Sequence, residues 1–245
     1  MKILVCISHV PDTTSKINFT ENDSKFDTNG VQFVINPHDE YSLTRAMFFK
    51  EKQGASVTVV SVGNKTTEPT LRKALAIGAD DAIRVDSEAT DGFFVAQQLA
   101  EVVKNGGHDL ILAGRESIDY NGGMVPGMLA TLLDYNFVNA VNKLEVEGDT
   151  ATIAREIDGG NEMLEASLPL VIGAQKIVLE SELRIPNMRG IMMARKKPLN
   201  VVEAVGAEAK TQVQSFEKPA VKSACKMVDT VDELIDLLHN EAKVI

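Results

Sequence analysis

The chain has 245 residues, of which 44% are hydrophobic and 24% are charged, and its formal net charge is -10 at pH 7. This composition excludes an intrinsically disordered chain, and no apolar run approaches the roughly 18 to 20 residues that span a bilayer. An isoelectric point near 5.0 argues against general nucleic-acid binding, because that function needs a basic face. We therefore expect a globular protein with no nucleic-acid partner and no membrane insertion.

The first residues predict a buried β-strand. Residues 3–7 form a continuous apolar run rich in β-branched side chains, which is typical of a strand covered on both faces. An early aspartate and the lack of a small-residue cleavage site argue against a secretory signal. Two cysteines, Cys6 and Cys225, have neither metal-ligand spacing nor a disulfide framework. We expect a cytoplasmic protein without a metal site.

Strands and helices then alternate along the chain. A helix is predicted over 37–52, where apolar residues recur at helical spacing, and a second buried strand over 56–62. Two more helix and strand pairs follow, at 70–78 with 81–86 and at 91–105 with 108–114. This order predicts an α/β fold with a doubly wound, mostly parallel sheet. Such sheets bind ligands beyond the carboxyl ends of their strands, which directs attention to the loops after Ile7, Val62 and Ala113.

The periodicity changes near residue 137. Residues 143–160 alternate between apolar and polar around a turn at 147–149, which predicts a β-hairpin extension of the sheet. The last residues, from 230 onward, have the apolar spacing of a capped amphipathic helix. Three regions are predicted: an α/β core with its hairpin extension at 1–182, a basic and apolar loop at 183–199, and a C-terminal arm at 200–245. A tail of nearly 50 residues with one good helix is hard to fold alone, so we expect the arm to wrap another surface, either its own domain or a partner.

Two loops carry candidate ligand-binding residues. In the segment 113–129, Gly122 and Gly123 allow backbone amides to turn toward an anion ahead of a helix N-terminus, although an ordinary strand-to-helix turn explains the glycines equally well. In the segment 35–40, helix capping accounts for every residue except His38, whose imidazole could contact a ligand ring or a phosphate. No catalytic triad, zinc spacing, Walker loop or dinucleotide fingerprint occurs in the chain.

The segment 183–199 holds five cations and no acidic residue. Its apolar side chains include Met188, Ile191, Met192 and Met193. A membrane-surface helix is one interpretation, although Pro186 and Gly190 interrupt it, and a nuclear-import patch is another. A docking surface suits the residue types better, because methionines adapt to differently shaped partners and cations steer toward acidic rims.

Five ordered segments resemble one known family. They are 36–43 (NPHDEYSL), 70–80 (TLRKALAIGAD), 113–119 (AGRESID), 154–174 (AREIDGGNEMLEASLPLVIGA) and 183–199 (LRIPNMRGIMMARKKPL). The chain resembles the small (beta) subunit of electron-transfer flavoprotein over nearly its whole length. The resemblance implies a carrier rather than an enzyme, paired with a larger alpha subunit and sharing one FAD with it.

The same resemblance implies partners and a second ligand. Electrons would come from flavin dehydrogenases such as the acyl-CoA dehydrogenases of fatty acid oxidation, and would pass to a membrane quinone oxidoreductase. The family's beta subunit also holds an AMP, whereas bifurcating relatives place a second FAD there and reduce it with NADH. A free nucleotide-binding stress-type protein on the same fold is an alternative from another class, and it would have no use for the basic methionine segment.

The resemblance also assigns roles and site residues. It implies that 1–182 form the nucleotide-binding core, that 183–199 form a partner-recognition loop, and that 200–245 wrap the partner subunit. The cofactor-binding positions are Cys6, Asn36, His38, Asp39, Val62, Gly114, Arg115, Ser117, Asp119, Gly122, Gly123, Met124 and Val125, with Thr13 and His38 near the flavin. The partner-binding positions are Glu156, Met188, Ile191, Met192, Arg195, Lys196 and Lys197. Met188 matches the apolar anchor, where relatives carry leucine, and Glu156 would pair with a partner arginine. At 122–125 the chain has GGMV, which lacks the hydroxyl and amide side chains found at the family's phosphate turn.

Overall fold

The computed structural model describes residues 1–222 and 224–245. Backbone contacts divide the chain into two compact units, one formed by 1–18 with 27–213 and the other by 19–26 with 214–245. The expected division at residue 200 differs from this one. A strand that begins at Leu199 pairs with a strand of the first unit, so the chain leaves that unit later than its composition indicates.

The bounds of the regular elements follow the predicted alternation. In chain order the strands are β1 (Lys2–Cys6), β2 (His9–Pro11), β3 (Phe19–Thr20), β4 (Lys25–Phe26), β5 (Phe33–Ile35), β6 (Ser56–Val62), β7 (Asp81–Asp86), β8 (Leu110–Gly114), β9 (Asn136–Glu147), β10 (Thr150–Ile157), β11 (Gly160–Ser167), β12 (Leu170–Ala174) and β13 (Leu199–Glu203). The α-helices are α1 (Pro37–Gln53), α2 (Glu68–Ile77), α3 (Gly92–Gly106), α4 (Val125–Leu133), α5 (Met188–Ala194) and α6 (Val231–Asp236).

Nine of these strands form one sheet in the order β11-β10-β9-β12-β8-β1-β6-β7-β13. From β9 to β13 all neighbouring strands in this order are parallel, which confirms the predicted α/β fold with a mostly parallel sheet. After β1 the chain moves through β6 to β7, and it then returns to the other side of β1 to form β8. The strand order therefore reverses between β1 and β8, where an open α/β sheet leaves a crevice for a ligand.

Apolar side chains on the two faces of the sheet fill two cores. In β1, Ile3 and Val5 face the core that holds α1 and α2, whereas Leu4 and Cys6 face the core that holds α3 and α4. Ile3, Leu4 and Val5 are fully buried. Burial of each such side chain contributes roughly 1.5–3 kcal/mol, so the continuous apolar run at 3–7 is what a central, doubly covered strand requires.

The predicted hairpin is part of the same sheet. Strands β9, β10 and β11 form an antiparallel meander, and β9 joins the sheet by pairing in parallel with β12. Across β10 and β11, Arg155 lies opposite Glu162, and its Nε is 2.5 Å from a carboxylate oxygen of that residue. Both side chains are partly exposed, so the ion pair contributes little beyond pairing specificity.

The second unit has little regular structure. Strands β3 and β4 form a short hairpin, and the ring of Phe19 stacks on that of Phe216 with centroids 4.9 Å apart. The Thr230 side chain caps α6 by accepting a hydrogen bond from the Glu233 amide, which confirms the predicted helix start. Leu234 and Ile235 of the predicted apolar stripe are exposed.

The segment 183–199, expected to be a loop, contains the short helix α5. The Asn187 side chain begins this helix by accepting a hydrogen bond from the Gly190 amide at 2.8 Å. Gly190 faces α2 closely, because a Cβ atom at that position would lie 2.3 Å from the carbonyl oxygen of Ala76. Gly190 therefore permits one face of α5 to pack closely on α2, while the opposite face of α5 remains exposed.

Within residues 1–222 and 224–245, no helix combines the length and the apolar character that crossing a membrane demands.

The Gly190→Ala variant tests the packing of α5. Alanine favours helix by up to about 1 kcal/mol, but its Cβ would collide with the backbone of α2, so we expect a net loss of about 1–3 kcal/mol of unfolding free energy. Urea denaturation of the full chain measures this loss. Arg189→Ala, an exposed neighbour in the same helix, is the control and should stay within about 0.5 kcal/mol of the parent. Equal stability of the two variants would contradict the close approach.

Candidate functional site

A cleft lies at the reversal of strand order, where β1 and β8 end side by side. Its lining residues come from β1, β6, β8, α1, α3, α4 and the loops between them. They are Cys6, Ile7, Ser8, Asp39, Val60, Ser61, Val95, Leu99, Ala113, Gly114, Glu116, Ser117, Gly122, Val125 and Pro126. The sequence predicts a site in the loops after Ile7, Val62 and Ala113, and the cleft opens between the ends of those strands.

The side chain of Asp39 holds the two strand ends together. One carboxylate oxygen accepts a hydrogen bond from the Ser8 amide at 2.7 Å, and the other accepts one from the Gly114 amide at 2.8 Å. Asp39 lies in the first turn of α1 and is only 2% exposed. The clamp needs glycine at 114, since a Cβ there would lie 2.5 Å from the Asp39 carboxylate.

Burial dominates the chemistry of this carboxyl group. Loss of hydration raises the pKa of Asp39 to about 7, although the hydrogen bonds from Ser8 and Gly114 act in the opposite direction. Burial, with a smaller effect from the Asp39 charge, also raises the pKa of the Cys6 thiol, which therefore stays protonated. Asp39 positions the backbone of the cleft, and Cys6 contributes only an apolar surface.

The side chain of Asn36 holds the loop that follows β8. Its side-chain nitrogen donates a hydrogen bond to the backbone carbonyl oxygen of Glu116 at 2.9 Å. Its side-chain oxygen accepts a hydrogen bond from the backbone amide of Ile118 at 3.3 Å. Asn36 directly precedes α1, but its side chain makes no capping hydrogen bond to that helix and contacts the loop after β8 instead. Asn36 is 1% exposed, so the loop is held by a buried amide whose polar atoms are bonded.

A chain of polar side chains leads from this loop to the hairpin. Arg115 donates to the Gln175 side-chain oxygen at 3.2 Å and to Glu116 at 3.3 Å. Gln175 in turn donates to Glu156 on β10. His38 lies 3.5 Å from the other carboxylate oxygen of Glu116. In the described structure, Glu156 is therefore engaged within its own chain, and the Arg115 guanidinium is bonded to Gln175 and Glu116.

The turn before α4 carries few polar side chains toward the cleft. The Ser117 hydroxyl donates to Asp119 at 2.7 Å, and the Ser117 amide donates to the Gly122 carbonyl at 3.0 Å. Helix α4 begins at Val125 without a side-chain cap, and its second residue, Pro126, has no amide hydrogen. Gly123 is close to the Arg115 carbonyl, since an added Cβ would lie 3.1 Å from that oxygen.

The cofactor positions named from the resemblance are only partly gathered here. Those that line the cleft are Cys6, Asp39, Gly114, Ser117, Gly122 and Val125. Asn36 and His38 contact Glu116 from outside the lining, Val62 packs in the core beside it, and Thr13 is exposed in the turn after β2. Arg115, Asp119, Gly123 and Met124 belong to the loop but do not line the cleft.

Sequence reasoning missed several lining residues. Ser8 directly follows the first apolar run, so it could have been predicted as a ligand contact at the carboxyl end of that strand. Ser61 lies in β6, where its hydroxyl side chain interrupts an apolar strand. Val95 and Leu99 reach the cleft from α3, and no local signal distinguishes them from other core residues of that helix.

Helix α5 forms a second candidate site, an exposed apolar and basic surface that we call the methionine surface. It comprises Met188, Ile191, Met192, Met193, Arg195 and Lys196. Met188 is 76% exposed and Met192 is 67% exposed. Such large apolar side chains on one short helix are typical of a docking surface.

Lys197, predicted to bind a partner, makes hydrogen bonds within its own chain. Its Nζ donates to the carbonyl oxygens of Leu75 and Ala79 at 3.0 and 2.6 Å, at the C-terminal end of α2. Arg72 of α2 donates in return to the carbonyls of Ala194 and Lys197, each at 2.8 Å. Desolvation lowers the pKa of Lys197. This lysine therefore secures the end of α5 to the core, whereas Arg195 and Lys196 are exposed.

The Asp39→Asn variant tests the clamp. Asparagine has one acceptor atom where the carboxylate has two, so the backbone amide of either Ser8 or Gly114 loses its acceptor. We therefore expect a loss of about 1–3 kcal/mol of unfolding free energy.

The loss should depend on pH. The raised pKa of Asp39 means that its stabilising contribution is complete at low pH and falls as pH rises toward about 7. Because the folded pKa of about 7 lies two units above pH 5, the gap between parent and variant should shrink by about 2.7 kcal/mol from pH 5 to pH 8, at about 1.36 kcal/mol per unit. Denaturant unfolding at both pH values measures it, and a gap that widens with pH would contradict the assignment.

Comparison with known proteins identifies the family. The electron transfer flavoprotein domain family matches residues 23–207. The chain is 37% identical to the electron transfer flavoprotein subunit beta of Syntrophomonas wolfei, over 100% of this chain and 98% of the relative. It is 35% identical to that of Bacillus subtilis over the full length of both, and 32% identical to that of Mus musculus over 100% and 99%. The chain therefore belongs to the electron transfer flavoprotein beta-subunit family.

Proposed function

We propose that the chain is the beta subunit of a heterodimeric electron carrier. In this proposal it pairs with an electron transfer flavoprotein alpha subunit and shares one FAD with it. The carrier takes electrons from flavin dehydrogenases, such as acyl-CoA dehydrogenases, and delivers them to a quinone oxidoreductase at a membrane. Its proposed location is the cytoplasm, in keeping with two free cysteines, one buried and one exposed.

The observation that carries the proposal is the methionine surface on a chain of this family. A carrier must bind several enzymes briefly, which favours a small apolar contact flanked by cations over a large, rigid interface. Met188 is the most exposed apolar side chain of α5. The exposed cations Arg195 and Lys196 directly follow the C-terminal end of this helix. Methionine adapts its shape at modest cost, which suits one surface to several partners.

In this proposal the alpha subunit provides most of the FAD site, and this chain provides one wall of it. Thr13 and His38 are the residues proposed to approach the flavin from this side, and Thr13 is exposed. Glu156, proposed to pair with an arginine of the partner, is bonded to Gln175. Pairing with the partner would replace the neutral amide donor of Gln175 by a charged guanidinium donor.

The cleft at β1 and β8 is the proposed site of an adenine nucleotide, namely AMP, with a second FAD as the alternative. Side chains of Val60, Val95, Leu99 and Val125 provide apolar walls for a ring, and Asp39 holds the strand ends that form its floor. These residues fit the nucleoside part of such a ligand. AMP and FAD would use the same nucleoside contacts.

The flavin content of the purified proteins tests the shared cofactor. Coexpressed with the alpha subunit, the chain should yield a heterodimer with about one flavin, as expected of one shared site at saturation. Expressed alone, it should retain little flavin. Acid extraction followed by chromatography measures both, with total protein as the reference. A monomer with a full complement of flavin would refute the shared site, and about two flavins per heterodimer would instead indicate a bifurcating, NADH-oxidising subunit.

The Met188→Ala variant tests the docking role of α5. Truncation removes the apolar contact, so we expect electron transfer from the dehydrogenase to weaken by about tenfold in kcat/KM, which corresponds to about 1.4 kcal/mol at one contact. The flavin content of the heterodimer should stay unchanged, because the side chain contacts the partner enzyme rather than the cofactor.

Met163→Ala is the matched control for this experiment. Met163 lies on β11 and is 60% exposed, so the substitution removes the same side chain from a surface outside α5. Transfer rates should be unaffected by it. Unaltered dehydrogenase kinetics in Met188→Ala, or an equal loss in both variants, would remove Met188 from the proposed role.

A further inference from the structure

The residues directly after β13, all of them described, form neither helix nor strand and bury little apolar surface. They are residues 204–213, which connect β13 to the end of the first compact unit. Only Ala204 and Ala207 are partly shielded, and the other residues of this range are exposed. Hydrophobic packing therefore contributes little to the path of this backbone. We call residues 204–211 the strap.

The first attachment of the strap is the side chain of Gln98 on α3. Its side-chain nitrogen donates a hydrogen bond to the backbone carbonyl oxygen of Val205 at 2.9 Å, and its side-chain oxygen accepts one from the backbone amide of Val205 at 2.8 Å. Gln98 is 1% exposed, so this buried amide finds partners for both of its polar atoms in one residue of the strap. The side chain pairs with the strap as the backbone of a neighbouring strand would.

The second attachment is the carboxylate of Asp91, which directly precedes α3. Its Oδ1 accepts a hydrogen bond from the backbone amide of Phe94 at 2.7 Å and so caps the helix. Its Oδ2 accepts hydrogen bonds from the backbone amides of Lys210 and Thr211 at 2.5 and 2.8 Å. These hydrogen bonds, that from Phe94 foremost, lower the pKa of Asp91. One carboxylate therefore begins a helix and holds the far end of the strap.

The two attachments set the direction of the strap. Val205 is bonded to Gln98 in the middle of α3. Thr211 is bonded to Asp91, directly before that helix. The strap therefore runs along α3 toward the N-terminal end of the helix. Because the first unit ends at residue 213, the chain leaves this unit close to a bonded position.

The part of the C-terminal arm that lies in the second unit carries exposed apolar side chains. Val221, Met227 and Val231 are all largely exposed. Burial of such side chains on another protein is favourable, which supports the expectation that the arm wraps a partner subunit. An arm that is fixed at its start loses less conformational entropy on binding than a longer flexible arm does.

We propose that Asp91 and Gln98 are positioning residues for subunit assembly, because they fix the strap from which the arm reaches the alpha subunit. Neither side chain has to contact the alpha subunit for this effect. This inference rests on the proposed function, in which the chain pairs with that subunit. Without the two attachments, the strap would join the flexible part of the arm, and more backbone would have to be ordered when the heterodimer forms.

The Asp91→Ser variant tests the second attachment while keeping the helix cap. Serine caps helices about as well as aspartate, but its single oxygen leaves the amides of Lys210 and Thr211 without an acceptor. We expect the dissociation constant of the heterodimer to rise about tenfold, because a segment that was ordered in advance becomes flexible. Titration of the purified alpha subunit with the full chain, followed by interferometry, measures this constant.

Hydrogen exchange of the full chain shows which contact the substitution removes. In Asp91→Ser, the amides of the strap should exchange about tenfold faster, whereas the amide of Phe94 should keep its protection. Asp149→Ser is the matched control, since it removes an equal charge from the exposed turn between β9 and β10 and should change neither affinity nor exchange.

The Gln98→Met variant tests the first attachment. It removes both hydrogen bonds to Val205 and keeps a side chain of similar length, so the dissociation constant should rise in the same direction as in Asp91→Ser.

Two results for Asp91→Ser would overturn the inference. One is an unchanged dissociation constant together with faster exchange in the strap. The other is unchanged exchange in the strap, because Asp91 would then not hold this segment. Failure of the proposed function looks different, since the parent chain itself would then form no heterodimer with the alpha subunit.

Discussion

The buried carboxyl group of Asp39 is the contact on which the cleft depends. It binds the amides of Ser8 and Gly114, which end two neighbouring parallel strands at the reversal of strand order. Without such an acceptor, these two amides would be buried without partners, at a cost comparable to the stability of a marginal domain. The clamp in turn requires glycine at 114 and a helix that begins at Pro37, so a single side chain links three elements.

The two candidate sites of the chain use opposite physical properties. The cleft is lined by residues from several elements and is held by buried hydrogen bonds, which suits a ligand that remains in place. The methionine surface is one short helix, secured to α2 by Arg72 and Lys197 and otherwise exposed, which suits brief contact with different proteins. The proposed carrier role would use both properties, because a bound cofactor has to stay while enzyme partners change.

Local patterns predicted the elements better than the contacts between them. The apolar run at 3–7, the helical spacing over 37–52 and the alternation over 143–160 reflect burial of whole faces, and the structure contains β1, α1 and the hairpin there. Lys197 looked like an exposed member of a basic patch, and Asn36 like a helix cap. Each instead bonds to backbone groups far away in sequence, which no local pattern encodes. The pairing of β13 with β7 joins the start of the predicted arm to the sheet, and this contact is also not encoded locally.

By itself, the sequence determined the α/β class, the order of helices and strands, the family and the exposed character of the segment 183–199. These properties depend on periodicity, composition and ordered motifs, all of which are local or additive along the chain. Only the tertiary structure decided which loops meet at the cleft, that Asp39 joins two strand ends there, and that Arg115 bonds to Gln175 and Glu116. Such facts depend on the directions of side chains brought together from distant positions, and direction is set by packing rather than by spacing.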